Sequence, residues 1–200
     1  MSENGAQPVF YYDFASPYSY LAAERINQLL PVVPEWRPIF FGALLRDIGR
    51  TPWSMREETK AAGMADCEQR ALERGLPPIR WPRGWPIDSY SVMPARVAVY
   101  AGLSGRAVAF SLAAFRQVFA AGRDMTDVDN VLIAAAACEL HPKAVLKGLE
   151  QQAVKDRLRA NTDEAIARGV TGIPTVAVGE ELYWGDDRLD QAAAALGATA

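Results

Sequence analysis

Residues 9–22 read VFYYDFASPYSYLA, and this stretch predicts a buried strand that is followed directly by a helix. The run from Val9 to Phe14 is β-branched and aromatic, and it has the length of a strand. Ser16 is a favoured N-cap residue, and Pro17 suits the first helical position because its missing N–H would have no intrahelical partner there. We therefore expect Ser16 at the carboxyl end of a strand and at a helix N-terminus, where free N–H groups and the helix dipole favour an anion.

Strand-like segments lie at both ends of the chain, with a long helical stretch between them. Residues 34–41 predict a second strand, and residues 169–184 predict a loop, a strand and its hairpin partner before a final helix. A two-stranded unit alone cannot bury both of its faces, so we expect all the strands to share one sheet. This order indicates an α/β domain interrupted by an all-helical insertion. The boundaries that we assign are 8–46 and 169–200 for the α/β domain and 47–168 for the insertion.

Helical segments fill the predicted insertion, because apolar residues recur there at helical spacing. A short helical turn over residues 43–48 precedes them. The predicted helices cover residues 53–74, 93–103, 107–121, 142–149 and 152–168, with a further helix that Thr126 or Asp127 caps.

Composition excludes several classes of partner. The chain has 200 residues, a hydrophobic fraction of 50% and a net charge of −3, and no basic stripe with interleaved aromatic residues suggests a nucleic-acid partner. No run of about 18 apolar residues is present, so we expect no membrane span. Residues 1–7 lack the basic and apolar segments of a signal peptide. We interpret them as a short disordered tail, and the protein as cytoplasmic.

Few residues of the chain suit metal, thiol or triad chemistry. Cys67 and Cys138 are far apart, with no Cys-x-x-Cys and no zinc spacing, so we expect two reduced thiols within helices. The one histidine, His141, precedes Pro142 between helical segments, where a capping or surface role is expected. No Gly-x-Ser-x-Gly elbow supports a Ser-His-Asp triad, and a histidine-rich metal site is excluded.

Residues 76–86 predict a rigid aromatic loop. The segment holds four prolines and a glycine, which exclude regular structure, together with Trp81 and Trp85. Such a loop either lines a pocket or covers an edge of the core.

The order of elements, with Ile173-Pro174 before the third strand, resembles a thioredoxin-like fold of the DsbA type with a large helical insertion. The resemblance implies that the Ile173–Pro174 peptide is cis and faces the turn that carries Ser16. Redox members of that fold have Cys-x-x-Cys where this chain has Ser16-Pro17-Tyr18-Ser19. Because disulfide exchange needs a thiolate, a DsbA-like redox activity is not expected.

Three segments in this order resemble 2-hydroxychromene-2-carboxylate isomerases and kappa-class glutathione transferases: residues 12–21, 172–175 and 184–189. The resemblance covers essentially the whole chain. It implies glutathione as cofactor, a small aromatic substrate and a homodimer.

The same resemblance assigns roles to individual residues. Ser16 would donate to the glutathione sulfur and stabilise its thiolate, and the Ile173 backbone before Pro174 would pair with the cysteinyl backbone. Asp186 and Asp187 would hold the γ-glutamyl end. Trp184 and Gly185 belong to the same motif and are further candidates for binding glutathione. The candidates for binding the substrate are Arg50, Lys60 and Trp85.

Plainer interpretations of these residues stay open. Ser16, Asp186 and Asp187 could act only as helix caps, and Arg50 and Lys60 could belong to a solvated face. Members of the family commonly have Gly-Asn where this chain has Gly49-Arg50, so both the substrate and a glutathione contact there depart from the family pattern.

The leading hypothesis is a glutathione-dependent isomerase of an aromatic-catabolism intermediate, of the type that converts 2-hydroxychromene-2-carboxylate to trans-o-hydroxybenzylidenepyruvate. The alternatives are a kappa-type glutathione transferase or peroxidase, and a non-catalytic binding protein that kept the fold.

Overall fold

One four-stranded sheet joins the two ends of the chain. A computed structural model describes residues 7–198. The sheet has the order β2-β1-β3-β4, and β1 pairs in parallel with β2 and antiparallel with β3. The strand bounds are β1 Val9–Tyr12, β2 Glu35–Pro38, β3 Thr175–Val178 and β4 Glu181–Trp184. The expectation that strands from both ends share one sheet is therefore confirmed.

Helices make up most of the remaining chain. They are α1 Pro17–Leu29, α2 Phe41–Asp47, α3 Glu57–Glu73, α4 Val92–Gly102, α5 Ala107–Phe115, α6 Val128–Ala136, α7 Pro142–Glu150, α8 Gln152–Ala167 and α9 Leu189–Ala198. A π-helical segment, Arg116–Ala120, continues α5, and a short 3₁₀ turn, Trp53–Met55, precedes α3. No helix within residues 7–198 is long and apolar enough to cross a membrane.

Two predicted elements differ in their bounds from those of the structure. The helix predicted over residues 53–74 is split, because Arg56 has extended backbone between the 3₁₀ turn and α3. The strand predicted over residues 34–41 ends at Pro38, and Phe41 instead begins α2. The tail expected at residues 1–7 lies outside the described residues, apart from Gln7.

The start of α1 confirms the capping prediction. Ser16 has extended backbone, and its side chain accepts a hydrogen bond from the Ser19 N–H at 3.2 Å. Pro17 is the first helical residue. His141 caps α7 in the same way, because its Nδ1 accepts from the Lys143 N–H at 3.2 Å.

Both faces of β1 are buried. Phe10 and Tyr12 point into an aromatic core, where the Tyr12 hydroxyl shares a 2.6 Å hydrogen bond with Ser111 of α5. Val9 and Tyr11 point to a second core that includes residues of α2 and α8. The sheet is thus the middle layer, and β1, one of its two inner strands, is packed on both faces.

Helix α8 packs directly on the sheet edge. Its Asn161 side chain donates to the Pro38 carbonyl at 3.1 Å, and its Thr162 hydroxyl accepts from the Phe40 N–H at 3.0 Å. The division into residues 8–46 with 169–200 and residues 47–168 stays a prediction.

Replacement of Phe115 by alanine should lower the free energy of unfolding by about 3–5 kcal/mol, because the ring is fully buried and a cavity would remain. The Phe14 ring lies 4.8 Å from it, measured between centroids, and would lose that partner. Urea unfolding measures the change. Leu103→Ala is the control, since Leu103 is 74% exposed and should change stability by no more than about 0.5 kcal/mol. Equal effects of the two variants would contradict this account of the core.

Candidate functional site

A cleft of about 740 Å³ opens at the carboxyl end of β1. The start of α1, the turn before β3 and the turn between β4 and α9 form one side of it, and the segments around residues 50–56 and 85–91 form the other. The three sequence segments that carry the family resemblance therefore meet at one place. This volume is in the range of small-molecule sites in proteins.

Ser16 lines the cleft, and its hydroxyl proton is free to donate a hydrogen bond. Its Oγ accepts the Ser19 N–H, and a hydroxyl can donate its own proton at the same time. Within residues 7–198 that proton has no acceptor. The helix N-terminus and the hydroxyl together favour a negatively charged group in front of Ser16.

The segment Ile173-Pro174 also lines the cleft. Its peptide bond is cis, as the resemblance implied. Among the described residues, no backbone hydrogen bond uses the Ile173 N–H or carbonyl. The Pro174 carbonyl accepts from the Gly185 N–H at 2.9 Å, which holds the β4–α9 turn against this segment. An extended peptide could pair with the free polar groups of Ile173.

Asp186 is engaged in a way that the sequence did not indicate. The residue is 2% exposed, and its carboxylate forms ion pairs with Arg70 of α3, at 2.8 Å, and with Arg74, the residue that directly follows α3. A buried carboxylate needs such partners because burial without them is costly. The group that we predicted to hold an ammonium is thus already paired with two guanidinium groups. Asp187 is exposed at the rim of the cleft.

Arg50 and Trp184 meet across the end of the cleft. The Arg50 guanidinium carbon lies 5.2 Å from the centroid of the Trp184 ring, within the range of a cation–π contact. Arg50 also donates to the Thr171 carbonyl at 3.3 Å. Gly172 is required beneath Trp184, since a Cβ there would lie 2.4 Å from the indole ring. The role of Arg50 in substrate binding stays a prediction.

The aromatic loop both lines the cleft and covers the core. Trp85 lines the cleft while it is 5% exposed, and its indole N–H donates to the Ala15 carbonyl at 3.0 Å. Trp81 does not line the cleft but packs on Trp85, with ring centroids 4.5 Å apart.

Lys60 is not among the residues that line the cleft. Its Nζ donates to the Trp85 carbonyl at 3.1 Å, so Lys60 holds the aromatic loop, whereas we expected it to contact a substrate. Its predicted contact with a substrate is not supported by this geometry.

Asp13 is a cleft residue that sequence reasoning missed. It is 1% exposed, and its two carboxylate oxygens accept from the N–H groups of Ala15, at 2.8 Å, and Phe41, at 2.9 Å. Burial raises the pKa of Asp13 above its ordinary value, and these two hydrogen bonds, together with one from the Ser91 side chain, only partly offset that effect. An acidic residue inside an otherwise aromatic run was the signal that could have identified it.

The two cysteines offer no thiolate for exchange chemistry. Both are free and buried. Burial is the main cause that raises the pKa of the Cys67 thiol to about 12, and burial also raises the pKa of Cys138. At neutral pH both are protonated, so the absence of a Cys-x-x-Cys motif is not compensated within the described residues.

The chain is similar to proteins of one family over nearly its whole length. The family model of the DSBA-like thioredoxin domain matches residues 9–197. A 2-hydroxychromene-2-carboxylate isomerase from Sphingobium xenophagum is 30% identical over 186 residues, which cover 90% of this chain and 93% of that protein. A Caenorhabditis elegans protein named glutathione S-transferase kappa 2 is 28% identical over 202 residues, which cover 92% of this chain and 88% of that protein.

A solved structure of a 2-hydroxychromene-2-carboxylate isomerase has the same architecture. It matches with a TM-score of 0.85 and 24% identity, and the match covers 96% of this chain and 94% of that one. The DsbA-like thioredoxin fold expected from the sequence is therefore confirmed.

Asp13→Asn should change how stability depends on pH. A carboxyl whose pKa is raised in the folded state stays protonated there after the unfolded chain has ionised, so the folded chain binds more protons. The free energy of unfolding of the wild type should therefore fall relative to that of Asp13→Asn as pH rises above 3.8, the ordinary value, and level off above the folded pKa. Urea unfolding across this range measures the difference.

Asp47→Asn is the matched control, because it removes an exposed carboxylate at the end of α2. Its stability should follow the wild type across the same range. If the free energy of unfolding of the wild type stays constant relative to that of Asp13→Asn, or rises relative to it with pH, the raised pKa of Asp13 is contradicted.

Proposed function

The chain belongs to the family of DsbA-like thioredoxin domains that includes 2-hydroxychromene-2-carboxylate isomerases, and from this premise we propose that it is a glutathione-dependent isomerase. The substrate that we propose is an aromatic-catabolism intermediate of the 2-hydroxychromene-2-carboxylate type. Its product would be of the trans-o-hydroxybenzylidenepyruvate type. Membership of the family already indicates an enzyme of the isomerase or glutathione-transferase kind.

The Ser16 hydroxyl carries this proposal. It lies at the N-terminus of α1, lines the cleft and retains a proton to donate. A serine in this place can stabilise a thiolate but cannot form a mixed disulfide with it. The sulfur must then come from a bound thiol, and an isomerase that uses such a thiol as its cofactor is consistent with the isomerase relatives.

Glutathione fits the polar groups that the cleft presents. The free N–H and carbonyl of Ile173 would pair with its cysteinyl backbone, beside Pro174. Asp187 at the exposed rim would face the γ-glutamyl amino group, and the Asp186 carboxylate, held by Arg70 and Arg74, would fix the turn on which Asp187 lies. Trp184 and Gly185 would complete that wall.

Bound glutathione would supply a sulfur nucleophile that is regenerated when the isomerisation is complete. Ser16 and the N-terminus of α1 would favour the ionised form of that sulfur. A free thiol has a pKa of about 8.5, and a helix N-terminus with a hydroxyl donor would lower it by roughly one to two pH units. The thiolate would then be a major species near neutral pH.

The other side of the cleft suits an aromatic acid. Trp53, Trp85 and Tyr90 present aromatic surface to the cleft, while Arg50 and Arg56 lie on its lining. Arginine can bind a carboxylate through two parallel hydrogen bonds. We propose that the ring of the substrate packs on these aromatic groups and that its carboxylate faces the arginines. A homodimer and a cytoplasmic location stay predictions.

Ser16→Ala should lower kcat for the isomerisation by about 10²–10³-fold, the usual cost of removing one donor to a developing or stabilised negative charge. The pKa of the bound glutathione thiol should return toward about 8.5, because the donor is lost while the helix N-terminus remains. Steady-state assay and thiolate absorbance against pH measure the two effects. Binding of glutathione, measured by calorimetry, should persist.

Ser19→Ala is the matched control, since Ser19 lies in the same helical turn and its side chain does not line the cleft. This variant should keep both kcat and the thiol pKa. The proposal fails if the wild type binds no glutathione, or if Ser16→Ala and Ser19→Ala behave alike.

A kappa-type glutathione transferase is the second candidate, because the relative from Caenorhabditis elegans carries that name. An assay with an electrophilic aryl halide separates the two. A transferase would consume glutathione in proportion to product, whereas the isomerase that we propose would leave its concentration unchanged during turnover of the chromene substrate.

A further inference from the structure

We propose that Trp85 is a positioning residue for the Ser16 hydroxyl and that it acts through the backbone of Ala15. The inference rests on the proposed function, in which Ser16 stabilises a bound thiolate. It gives Trp85 a second role besides contact with the substrate, which was the role expected from the sequence.

The residue before Ser16 is held by side chains on both of its polar groups. The Ala15 N–H donates to Asp13 Oδ1 at 2.8 Å, and the Ala15 carbonyl accepts from the Trp85 indole at 3.0 Å. The Ser16 N–H donates to the Asp13 carbonyl at 3.1 Å. Ala15 lies in a turn, outside any helix or strand, so these contacts fix the direction in which the chain enters α1.

Trp85 is itself held firmly. It is 5% exposed, its ring contacts those of Trp81 and Trp53, with centroids 4.5 and 5.7 Å away, and its carbonyl accepts from Lys60. A buried indole N–H requires a partner, and the Ala15 carbonyl is that partner. The orientation of the ring therefore determines where the carbonyl, and with it the next residue, can lie.

The support extends to the helix that carries Ser16. The Trp53 ring contacts Tyr18 in the first turn of α1, with centroids 5.8 Å apart. Gly63 of α3 allows Trp53 to lie there, because a Cβ at that position would be 2.2 Å from the ring. The helical part of the chain thus supports the Ser16 turn through the indole N–H of Trp85 and through the ring of Trp53.

A positioning role and a wall role make different predictions for Trp85→Phe. Phenylalanine keeps an aromatic surface toward the cleft but cannot donate to the Ala15 carbonyl. If Trp85 is only a wall, the backbone around Ser16 should not respond. If Trp85 positions Ser16, the turn should loosen even in the absence of any ligand.

The experiment compares Trp85→Phe with Trp36→Phe. Trp36 is also buried and also donates one indole hydrogen bond, to Asn27, but it lies on β2 and does not line the cleft. Three measurements are made on each: hydrogen exchange of the Ala15 and Ser16 amides without glutathione, the pKa of the bound glutathione thiol, and kcat and KM for the chromene substrate.

Trp85→Phe should speed exchange of the two amides by about tenfold, the effect expected when one hydrogen bond is lost. The thiol pKa should rise toward about 8.5, and kcat should fall about tenfold, less than the roughly 100-fold that a full ångström of misplacement can cost. KM for the substrate should change little. Trp36→Phe should leave all of these values as in the wild type.

Lys60→Met is a second variant that keeps the indole and removes only the support of its loop. It should change the same quantities in the same direction, by a smaller amount. Equal amide exchange and thiol pKa in Trp85→Phe and Trp36→Phe would overturn the inference. Failure of the wild type to bind glutathione would instead overturn the proposed function, since amide exchange is measured without that ligand.

Discussion

Asp13 lies at the end of β1 with its carboxyl group buried, and it joins three segments of the chain. One oxygen accepts from the Ala15 N–H in the turn before α1, and the other accepts from the Phe41 N–H at the start of α2. The carbonyl of the same residue accepts from the Ser16 N–H. Because an unpaired buried carboxyl is costly, these bonds fix the relative positions of the two helix starts. The cleft opens between these helix starts, so its shape depends on this one group.

A second buried carboxylate connects the helical part of the chain to the sheet. Asp186, in the turn after β4, is paired with Arg70 of α3 and with Arg74 directly after that helix, and Arg70 is also paired with Asp66. The Tyr18 hydroxyl donates a hydrogen bond to the Asp66 carboxylate at 2.7 Å. This network runs from the last turn of the sheet to the first turn of α1. Its members are paired with one another, whereas the Ser16 hydroxyl proton has no acceptor within residues 7–198.

Local rules predicted the parts of the fold that local interactions determine. Ser16 as N-cap, Pro17 at the first helical position and the hairpin after Pro174 all follow from short-range preferences, and the structure confirms them. The end of β2 could not be predicted in this way, because the N–H groups that follow it bond to distant side chains: that of Phe40 donates to Thr162, and that of Phe41 donates to Asp13. The pairing of Arg70 with Asp186 joins residues 116 positions apart, and no spacing in the sequence indicates it. Nor does any spacing in the sequence indicate the contact of Lys60 with the Trp85 carbonyl, which lies 25 residues away. Lys60 was therefore expected to contact a substrate instead.

The central claim is that the Ser16 hydroxyl holds the sulfur of bound glutathione. A crystal structure of this protein with glutathione tests it most directly. The account predicts that the sulfur lies within hydrogen-bond distance of Ser16 Oγ, in front of the N-terminus of α1, with the cysteinyl backbone beside Ile173. Glutathione bound elsewhere, or bound in the cleft with its sulfur turned away from Ser16, would contradict it.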